Sequence, residues 1–560
     1  MYMKLRTLLL LCLSSFTLLI NAQTFEYPWA FNTDQPGDFV IPRDIDVDAM
    51  GNSYVLFNFS EPLQIGSIQF DPVGQTDIGV VKISPEGTTL WGAAAASASA
   101  DQGNAITVNA AGEVFITGYY TNDIQFDDLV LEANGSNGAT EFFVAKVNPD
   151  GLWAWAKQQT GGAIASGNAI DSDLQGNIIV GGTFFGEDLL IDQETFTAQE
   201  QLPFIFKASS DGDIIWSFHP ETPYGASLGG LTVDDAGKVY LCGSFGTFED
   251  AEVIFTAGTV VLTNAGDPEE SLTAADMYVL ALSSEGVPMW GENAGSLYFE
   301  SFASSIAVDN NGQVYVTGVF QDSISNATTS IDAFGPEGDY DYYLASFSNT
   351  GEWLWLKQIG NTDFNTGSVI LKSSSEGYIY LTGNLESQPF DFETFSLQAT
   401  GVNNSFLNRI NADGSYRWGF AHPSIYGFSV YANNSFRITG NFTEPITLGA
   451  TTLNATGGAS ADMYTCRLDY TPLVPDGIID LSAINVIAFP NPFSDQFKLV
   501  SDDQILEVRL FDLTGRQVLC DASYFGNTVV ISTNNQAYGF LFAEIRTVSA
   551  IKKLRLTQVK

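Results

Sequence analysis

Proton transfer, nucleophilic attack and metal binding each need particular side chains at particular spacings, and this sequence supplies them unevenly. Only two histidines occur, His219 and His422, and each is followed by proline a few residues after a tryptophan of a recurring phrase. Those corresponding places lie far apart in sequence, so a turn role is expected for both. A histidine-based zinc site or a histidine-paired nucleophile has almost no material to work with. Gly225-Ala226-Ser227-Leu228-Gly229 matches the Gly-x-Ser-x-Gly nucleophile elbow. That motif requires a strand, a sharp turn and a helix, whereas here it lies between two strand-like runs, so a chance match is expected. No catalytic or cofactor-binding residue is assigned.

Acids are the one abundant chemical resource: 65 against 22 bases, a net charge of −43. Asp44-Ile45-Asp46-Val47-Asp48 and Asp339-Tyr340-Asp341 offer oxygens of the kind calcium collects in sets of about six to eight. No Asp-x-Asp-x-Asp-Gly loop with a later Glu accompanies them. The alternation of Asp46 and Asp48 with apolar residues predicts a solvated strand face, so calcium is the only cofactor with candidate ligands and no metal site is assigned. The same negative charge repels phosphate backbones and anionic lipid surfaces, which excludes nucleic acid as a partner.

Lys4 and Arg6, an apolar run from Leu8 to Ile20, and Asn21-Ala22 before Gln23 have the order of a secretory signal peptide, residues 1–22. The run is shorter than a bilayer span, and no later stretch reaches about 20 residues without a charge, Gly or Pro. No transmembrane segment is expected in the mature chain. Cys12 leaves with the leader, and Cys242, Cys466 and Cys520 remain. Their odd number and apolar surroundings predict small buried hydrophobes rather than a disulfide framework, although one bridge stays open.

The elements that carry these residues are set by a repeat. An alternating strand, an acidic or Asn turn ending in Gly, and a second strand recur around Gly51, Gly112, Gly176, Gly237, Gly312 and Gly377, with a degenerate copy near Asn434. A second phrase, an apolar strand, a Ser/Asn-x-x-Gly turn and a Trp strand, ends at Trp91, Trp155, Trp216, Trp290, Trp355 and Trp418. The seventh phrase stops at Tyr464 to Asp469 without its Trp strand, while Tyr27-Pro28-Trp29-Ala30 is a Trp strand without its phrase. Together they complete one unit. Period-2 alternation with hairpin turns predicts antiparallel strands, four per unit plus a loop. The expected fold is all-β, a seven-bladed β-propeller over residues 23–470 closed by the N-terminal strand, with Trp29, Trp91, Trp155, Trp216, Trp290, Trp355 and Trp418 packing the blades. Turn glycines are 61 to 65 residues apart except Gly237 to Gly312, at 75. The extra length, about Thr247 to Ala275, is expected to form part of a recognition face.

Val314-Tyr-Val-Thr-Gly318 and Phe143-Val-Ala-Lys-Val-Asn-Pro-Asp-Gly151 resemble the phrases of the SBBP-type propeller repeats of secreted bacterial proteins. That resemblance implies a fold and leaves activity open, since propellers host unrelated chemistries. Ser209-Ser210-Asp211-Gly212 before Trp216 is similar to the Asp-box turn of sialidases but lacks the residue between Asp and Gly. The five propeller arginines, Arg43, Arg409, Arg417, Arg437 and Arg467, are few for a carboxylate-binding cluster. The turn-plus-Trp phrase is also similar to quinoprotein propellers, where Trp packs between blades, but no adjacent cysteine pair or quinone ligand set accompanies it.

Past Pro472 to Pro475 and Asp476-Gly477 the texture changes. Residues 484–560 hold 8 bases and 7 acids, leaving a net −44 for everything before. Residues 471–483 read as a linker, and short alternating strands beyond it predict a small Ig-like β-sandwich. Ala488-Phe-Pro490-Asn491-Pro492-Phe, Asp512-Leu-Thr-Gly515-Arg, Tyr538-Gly539-Phe-Leu-Phe and Lys552-Lys553-Leu-Arg555 up to Lys560 occur in that order. The order is similar to the type A sorting domain of the type IX secretion system of Bacteroidetes, with Gly-Phe-Leu-Phe in place of the common Gly-x-Tyr. The resemblance implies export through the periplasm to the outer-membrane surface or the medium, recognition by the outer-membrane translocon, cleavage outside, and either attachment to anionic lipopolysaccharide or release. Lys552, Lys553 and Arg555 equally fit a solvated edge strand protected from aggregation.

These readings point to a displayed or released propeller that binds a glycan or protein without catalysis. A carboxylate-only polysaccharide enzyme, a glycoside hydrolase or lyase using two acids, and a structural surface-layer component are the alternatives.

Overall fold

In a computed structural model the described residues are 24–33, 40–471 apart from short stretches between strands, and strand segments within 486–557. They form two compact units, Phe25–Tyr470 and one containing Thr471–Lys560. All regular elements among them are strands.

Within the larger unit, four-stranded antiparallel sheets recur in chain order. The first is built from Val40–Val47, Ser53–Phe59, Asp77–Ile83 and Thr89–Ala96, the second from Gln102–Val108, Val114–Tyr120, Glu141–Val147 and Trp153–Gln158. The third uses Ile164–Ser172, Ile178–Phe185, Leu202–Ala208 and Ile214–Phe218. Fourth, fifth and sixth sheets begin at Gly230–Val233, Ser301–Val308 and Ile370–Ser373. The seventh takes Gly427–Tyr431, Ser435–Phe442 and Asp462–Thr471, and its outer strand is Thr24–Asn32 from the other end of the chain. The Thr33 amide donates to the Met463 carbonyl at 3.0 Å where these two strands meet.

Local chemistry explains the first hairpin in five of the seven units. Asp48 Oδ1 accepts the Met50 and Asn52 amides at 2.9 Å, and Asn109, Asp173, Asp234 and Asp309 make the equivalent pair of bonds. An acidic or Asn side chain thus substitutes for a backbone partner at the turn, and Gly51 closes it at φ 84°, which a side chain resists.

The segment expected as a plain loop between second and third strands is itself a small hairpin in every unit, for example Leu63–Ile65 with Ile68–Phe70 and Ile124–Phe126 with Leu129–Leu131. Apolar alternation buries one face of it: Leu63, Ile65, Phe70, Ile124 and Phe126 are all core residues. Several of these hairpins reach the preceding sheet. Gln125 and Phe126 pair with Ala96 and Ala95, Leu190 with Thr160, and Glu221↔Thr256, Gly295↔Ser325 and Gly360↔Asp391 are single bridges of the same kind. In the long fourth unit the hairpin is Ile254–Ala257 with Val260–Thr263, so the additional length flanks it, in residues 247–253 and 266–274, which lie outside the described residues.

Successive sheets are joined by tryptophan. The indole N–H of Trp29 donates to Pro85 O at 2.9 Å, Trp91 to Pro149 O at 2.9 Å, and Trp155 to Ser210 O at 3.1 Å. Trp216, Trp290 and Trp355 reach Ser284 O, Asn349 O and Ala412 O at 2.9, 3.2 and 2.9 Å. Each acceptor is the second residue of the Ser/Asn-x-x-Gly turn of the next sheet. The turn glycine is needed twice over: Gly87 has φ 86°, and a Cβ there would stand 2.6 Å from Trp29 Cγ. Gly151 stands in the same relation to Trp91, and Gly351 to Trp290.

Trp418 is the exception, because the third and outer strands of the seventh sheet are separated in sequence and no turn joins them. Its Nε1 finds no hydrogen-bond partner among the described residues, and its ring packs on Tyr470 at 4.5 Å and Phe25 at 6.1 Å instead.

In the smaller unit, two four-stranded sheets share one apolar core that includes Phe497, Leu499, Val529 and Ile531 of one and Leu510, Leu541, Ile545 and Leu556 of the other. Its last strand, Ile551–Thr557, is an edge strand.

Trp29→Ala is expected to destabilise the larger unit in urea denaturation by somewhat less than the roughly 3–5 kcal/mol that truncating a fully buried aromatic costs, because Trp29 is partly buried. Trp91→Phe should cost about 1 kcal/mol more than Trp418→Phe, since only the former loses an indole hydrogen bond.

Candidate binding channel

The first strands of all seven sheets face a common cavity of about 480 Å³. One repeat position contributes a layer to it: Asp46, Thr107, Asp171, Thr232, Ala307, Lys372 and Ser429. Three residues earlier in the chain, a second set of lining residues is Arg43, Asn104, Asn168, Ser304 and Tyr426. The first four occupy bulges, where the register skips between Pro42 and Asp44, Gly103 and Ala105, Gly167 and Ala169, and Ala303 and Ser305. An extra residue in the strand re-aims a side chain that would otherwise alternate, here in four of the seven first strands.

Three carboxylates line the cavity, and each holds neighbouring backbone. Asp44 Oδ1 accepts the Ile45 amide and Oδ2 the Ile106 amide of the second sheet at 3.2 Å. Asp46 Oδ2 accepts the Val108 amide at 2.9 Å, and Oδ1 accepts the Val47 amide and the Ser429 hydroxyl of the seventh sheet at 3.0 Å. Asp171 Oδ2 accepts the Val233 amide of the fourth sheet at 3.0 Å, and Oδ1 the Ser172 amide. First strands have an open edge toward the channel, and these side chains satisfy amides that a sheet neighbour would otherwise take. Ser305 Oγ does the same for the Leu371 amide, and Asn104 Nδ2 donates to Gly167 O.

Lys372 is the cation among them, 3.8 Å from Asp44 Oδ1. Asp44, then Asp46 and Asp171, hold its ammonium above the ordinary lysine range against the opposing effect of burial. Burial pushes Asp46 up to about 6 and raises Asp171. Arg43 adds a second positive group, donating to Gln102 Oε1 at 2.8 Å.

The acid stretch Asp44 to Asp48 is therefore not the solvated strand face its alternation predicts. Asp44 and Asp46 face the channel, and Asp48 is buried in its turn, also accepting the Tyr54 hydroxyl at 2.9 Å. Asp341 is buried as well and accepts the Phe334 amide and Gln358 Nε2. It belongs to a repeat position that sequence reasoning passed over: at or next to the start of the third strand, five of the seven sheets carry a buried acid, Asp77, Glu141, Asp276, Asp341 and Asp462, where the other two have Leu202 and Asn404. Four of them accept amides from the segment that follows the hairpin, those of Val73, Asn134, Ala265 and Phe334. Aligning the repeats on the turn glycines would have exposed the pattern. Among the described residues no group of three or more His, Cys, Asp or Glu side chains gathers to hold a metal.

His219 follows the last strand of the third sheet and His422 lies in the last strand of the sixth, and each places Nδ1 against the carbonyl of its own following proline, at 3.1 and 2.8 Å. Burial lowers His422 to about 4. Ser227 Oγ pairs with Ser244 Oγ at 2.8 Å rather than with a base. Cys242 and Cys466 are buried free thiols raised by burial, and Cys520 is free. Of the sorting-motif residues, Pro490, Asn491, Pro492, Gly515, Gly539 and Lys560 lie outside the described residues. Lys552 and Lys553 pair with Ile545 and Glu544 along the edge strand.

Comparison with known proteins adds to this geometry in two places. Residues 487–556 match the family model of the secretion system C-terminal sorting domain, so the smaller unit is a type IX sorting domain and the chain carries an export signal to the cell surface or beyond. An uncharacterized WD repeat-containing protein of Acanthamoeba polyphaga mimivirus is 20% identical over 483 residues, 69% of this chain. The chain spans about a third, 34%, of that protein's length. The larger unit is accordingly propeller-like. Among solved structures, the Synechocystis apocarotenoid oxygenase mutant Glu150Asp aligns over 86% of this chain and 90% of its own at 7% identity and TM-score 0.29. The rhamnogalacturonan lyase YesW aligns over 93% and 91% at 10% identity and TM-score 0.24. Scores this low carry no argument about activity. No helix among the described residues is long and apolar enough to cross a membrane.

Lys372→Met removes the cation facing three carboxylates, and the loss is expected to be on the order of 1 kcal/mol for a partly exposed lysine. It should be larger at pH 8 than at pH 5. A carboxyl whose folded value is raised, such as Asp46 at about 6, binds its proton more tightly in the folded state. Its contribution to stability therefore falls as pH rises from about 4 through 6, and removing Lys372 deepens that fall. Urea midpoints of both chains at the two pH values check this.

Proposed function

We propose that the chain is an exported, non-catalytic binding protein of a Bacteroidetes-type bacterium. In this reading residues 1–22 direct it to the periplasm, 23–470 form a seven-bladed SBBP-like β-propeller closed by the strand that carries Trp29, and 484–560, an Ig-like sandwich after the linker 471–483, engage the type IX translocon. The seven-sheet order, the seventh sheet's use of Thr24–Asn32, and the bonds from Trp29 to Pro85 and Ser429 to Asp46 support the closed ring. The ligand, a glycan or a protein loop, binds in the channel among Arg43, Asn104, Asn168, Ser304 and Tyr426.

One observation carries the preference for binding over catalysis. Glycoside hydrolysis needs two carboxyls free to reach the substrate, and Asp44, Asp46 and Asp171 each have both oxygens engaged by backbone amides. What the cavity offers instead is a set of amide, hydroxyl, guanidinium and phenol groups suited to hydrogen bonding.

Screening the secreted chain against a glycan and polysaccharide panel, with and without calcium, tests this reading. The expected result is saturable binding without release of reducing ends, weakened at least about tenfold by Asn168→Trp in the channel lining, which is about 1.4 kcal/mol. Turnover would replace the proposal with a carboxylate enzyme, and binding indifferent to Asn168→Trp would move the site away from the channel. Deleting residues 484–560 is expected to leave the protein in the periplasm, read by cell fractionation.

A further inference from the structure

A second cavity lies in the seam between the second and third sheets, away from the channel, and the repeat itself indicates what fits it. Two residues before each docking tryptophan stands a position occupied in chain order by Tyr27, Thr89, Trp153, Ile214, Pro288, Trp353 and Tyr416. In the seam between first and second sheets, Trp153 fills this position. Its indole is 8% exposed, donates to Ala94 O at 3.0 Å and lies edge-on to Phe126 at 4.8 Å, in one core with Val80, Val114, Ala145 and Val147. Trp353 does the same between the fourth and fifth sheets, where its N–H donates to Glu292 Oε2 at 2.8 Å.

One seam further on, the matching wall is present and the indole is not. Val144 stands where Val80 does, Ile178 for Val114, Phe206 for Ala145, Ala208 for Val147 and Ile191 for Phe126, and Ile214 replaces Trp153. These residues enclose about 340 Å³, within the range of small-molecule sites, about 300–1,000 Å³. Where other seams have a small residue the hairpin turn comes down on it. A Cβ on Gly66 would meet Thr89 Oγ1 at 2.4 Å, and one on Gly258 would meet Pro288 Cγ at 3.4 Å.

The polar group at the rim differs from that of the fifth sheet's seam. The repeat place of Glu292 is taken by Lys157, whose ammonium donates to Gly212 O, lies 3.7 Å from Asp213 Oδ1 and is partly exposed. An acceptor in one seam is thus a donor in the other.

We infer that this cavity is a binding site for a small planar aromatic molecule of about indole size, bearing an anionic or acceptor group that meets Lys157. The apolar walls take the ring, and Lys157 selects the substituent.

Calorimetric titration of the full chain with indole-3-acetate, indole and the non-planar cyclohexane-acetate is the test. Indole-3-acetate is expected to bind saturably at one site and more tightly than indole, with cyclohexane-acetate weakest. Ile214→Trp, which supplies the ring covalently, should abolish binding and raise Tm. Ile214→Phe serves the same purpose if the larger ring disturbs folding. Lys157→Met should weaken indole-3-acetate by about tenfold, about 1.4 kcal/mol, and leave indole unchanged. No saturable binding of either indole up to about 10 mM, a free energy of only about −2.7 kcal/mol, would overturn the inference. So would binding that survives both Ile214 variants.

Discussion

The hydrogen bond from an indole N–H to the second carbonyl of the neighbouring turn is the contact on which the larger unit depends. It is the same bond six times, from Trp29, Trp91, Trp155, Trp216, Trp290 and Trp355. It fixes more than a distance. The turn must present its carbonyl outward, which the left-handed glycine allows, and in five of the six turns a side chain on that glycine would meet the indole, with Lys157 taking that space at Gly212. The tryptophan of one unit therefore constrains the turn of the next in every unit except the one that carries Trp418, and the sequence period is the record of that coupling. A single net bond of this kind contributes about 1 kcal/mol, so its importance is geometric: it sets the spacing at which the sheets' apolar faces interlock.

Side chains secure the inner edge by different means in different places. Aspartates do so between first and second and between third and fourth sheets, a serine between fifth and sixth, an asparagine between second and third. Because any small hydrogen-bonding side chain can satisfy an edge amide, this layer is free to vary from repeat to repeat. A channel with an uneven set of charges results, with Lys372 beside three acids and Arg43 a second cation in the lining.

Sheet order, the tryptophan register and the use of the Trp29 strand in the last sheet were legible in the sequence, because each rests on a period that composition cannot hide. The hairpins between second and third strands were not. Their strands are three or four residues long, below the length at which alternation separates a strand from a loop. The stretch Asp44 to Asp48 was misplaced for a related reason: alternation tells which residues share a face and not which face meets water. Asp46 and Asp171 alternate like solvated residues because the channel side of a first strand is polar. The buried acids that open the third strands were visible as letters, but only an alignment of all repeats on Gly51 and its counterparts makes them a pattern.

The seventh sheet joins residues 430 positions apart, where Thr33 Oγ1 accepts the Met463 amide. Every other sheet can be completed from a contiguous stretch of chain as it emerges from synthesis or a translocon. Until residues 462–471 arrive, the strand Thr24–Asn32 has no partner, and the incomplete array carries an unpaired edge at both ends. Completing the seventh sheet is thus the pairing of highest contact order in the larger unit, the kind of contact that is slowest to form. The sorting domain follows in sequence, so the signal for export leaves the ribosome only after the last strand of the seventh sheet has been made.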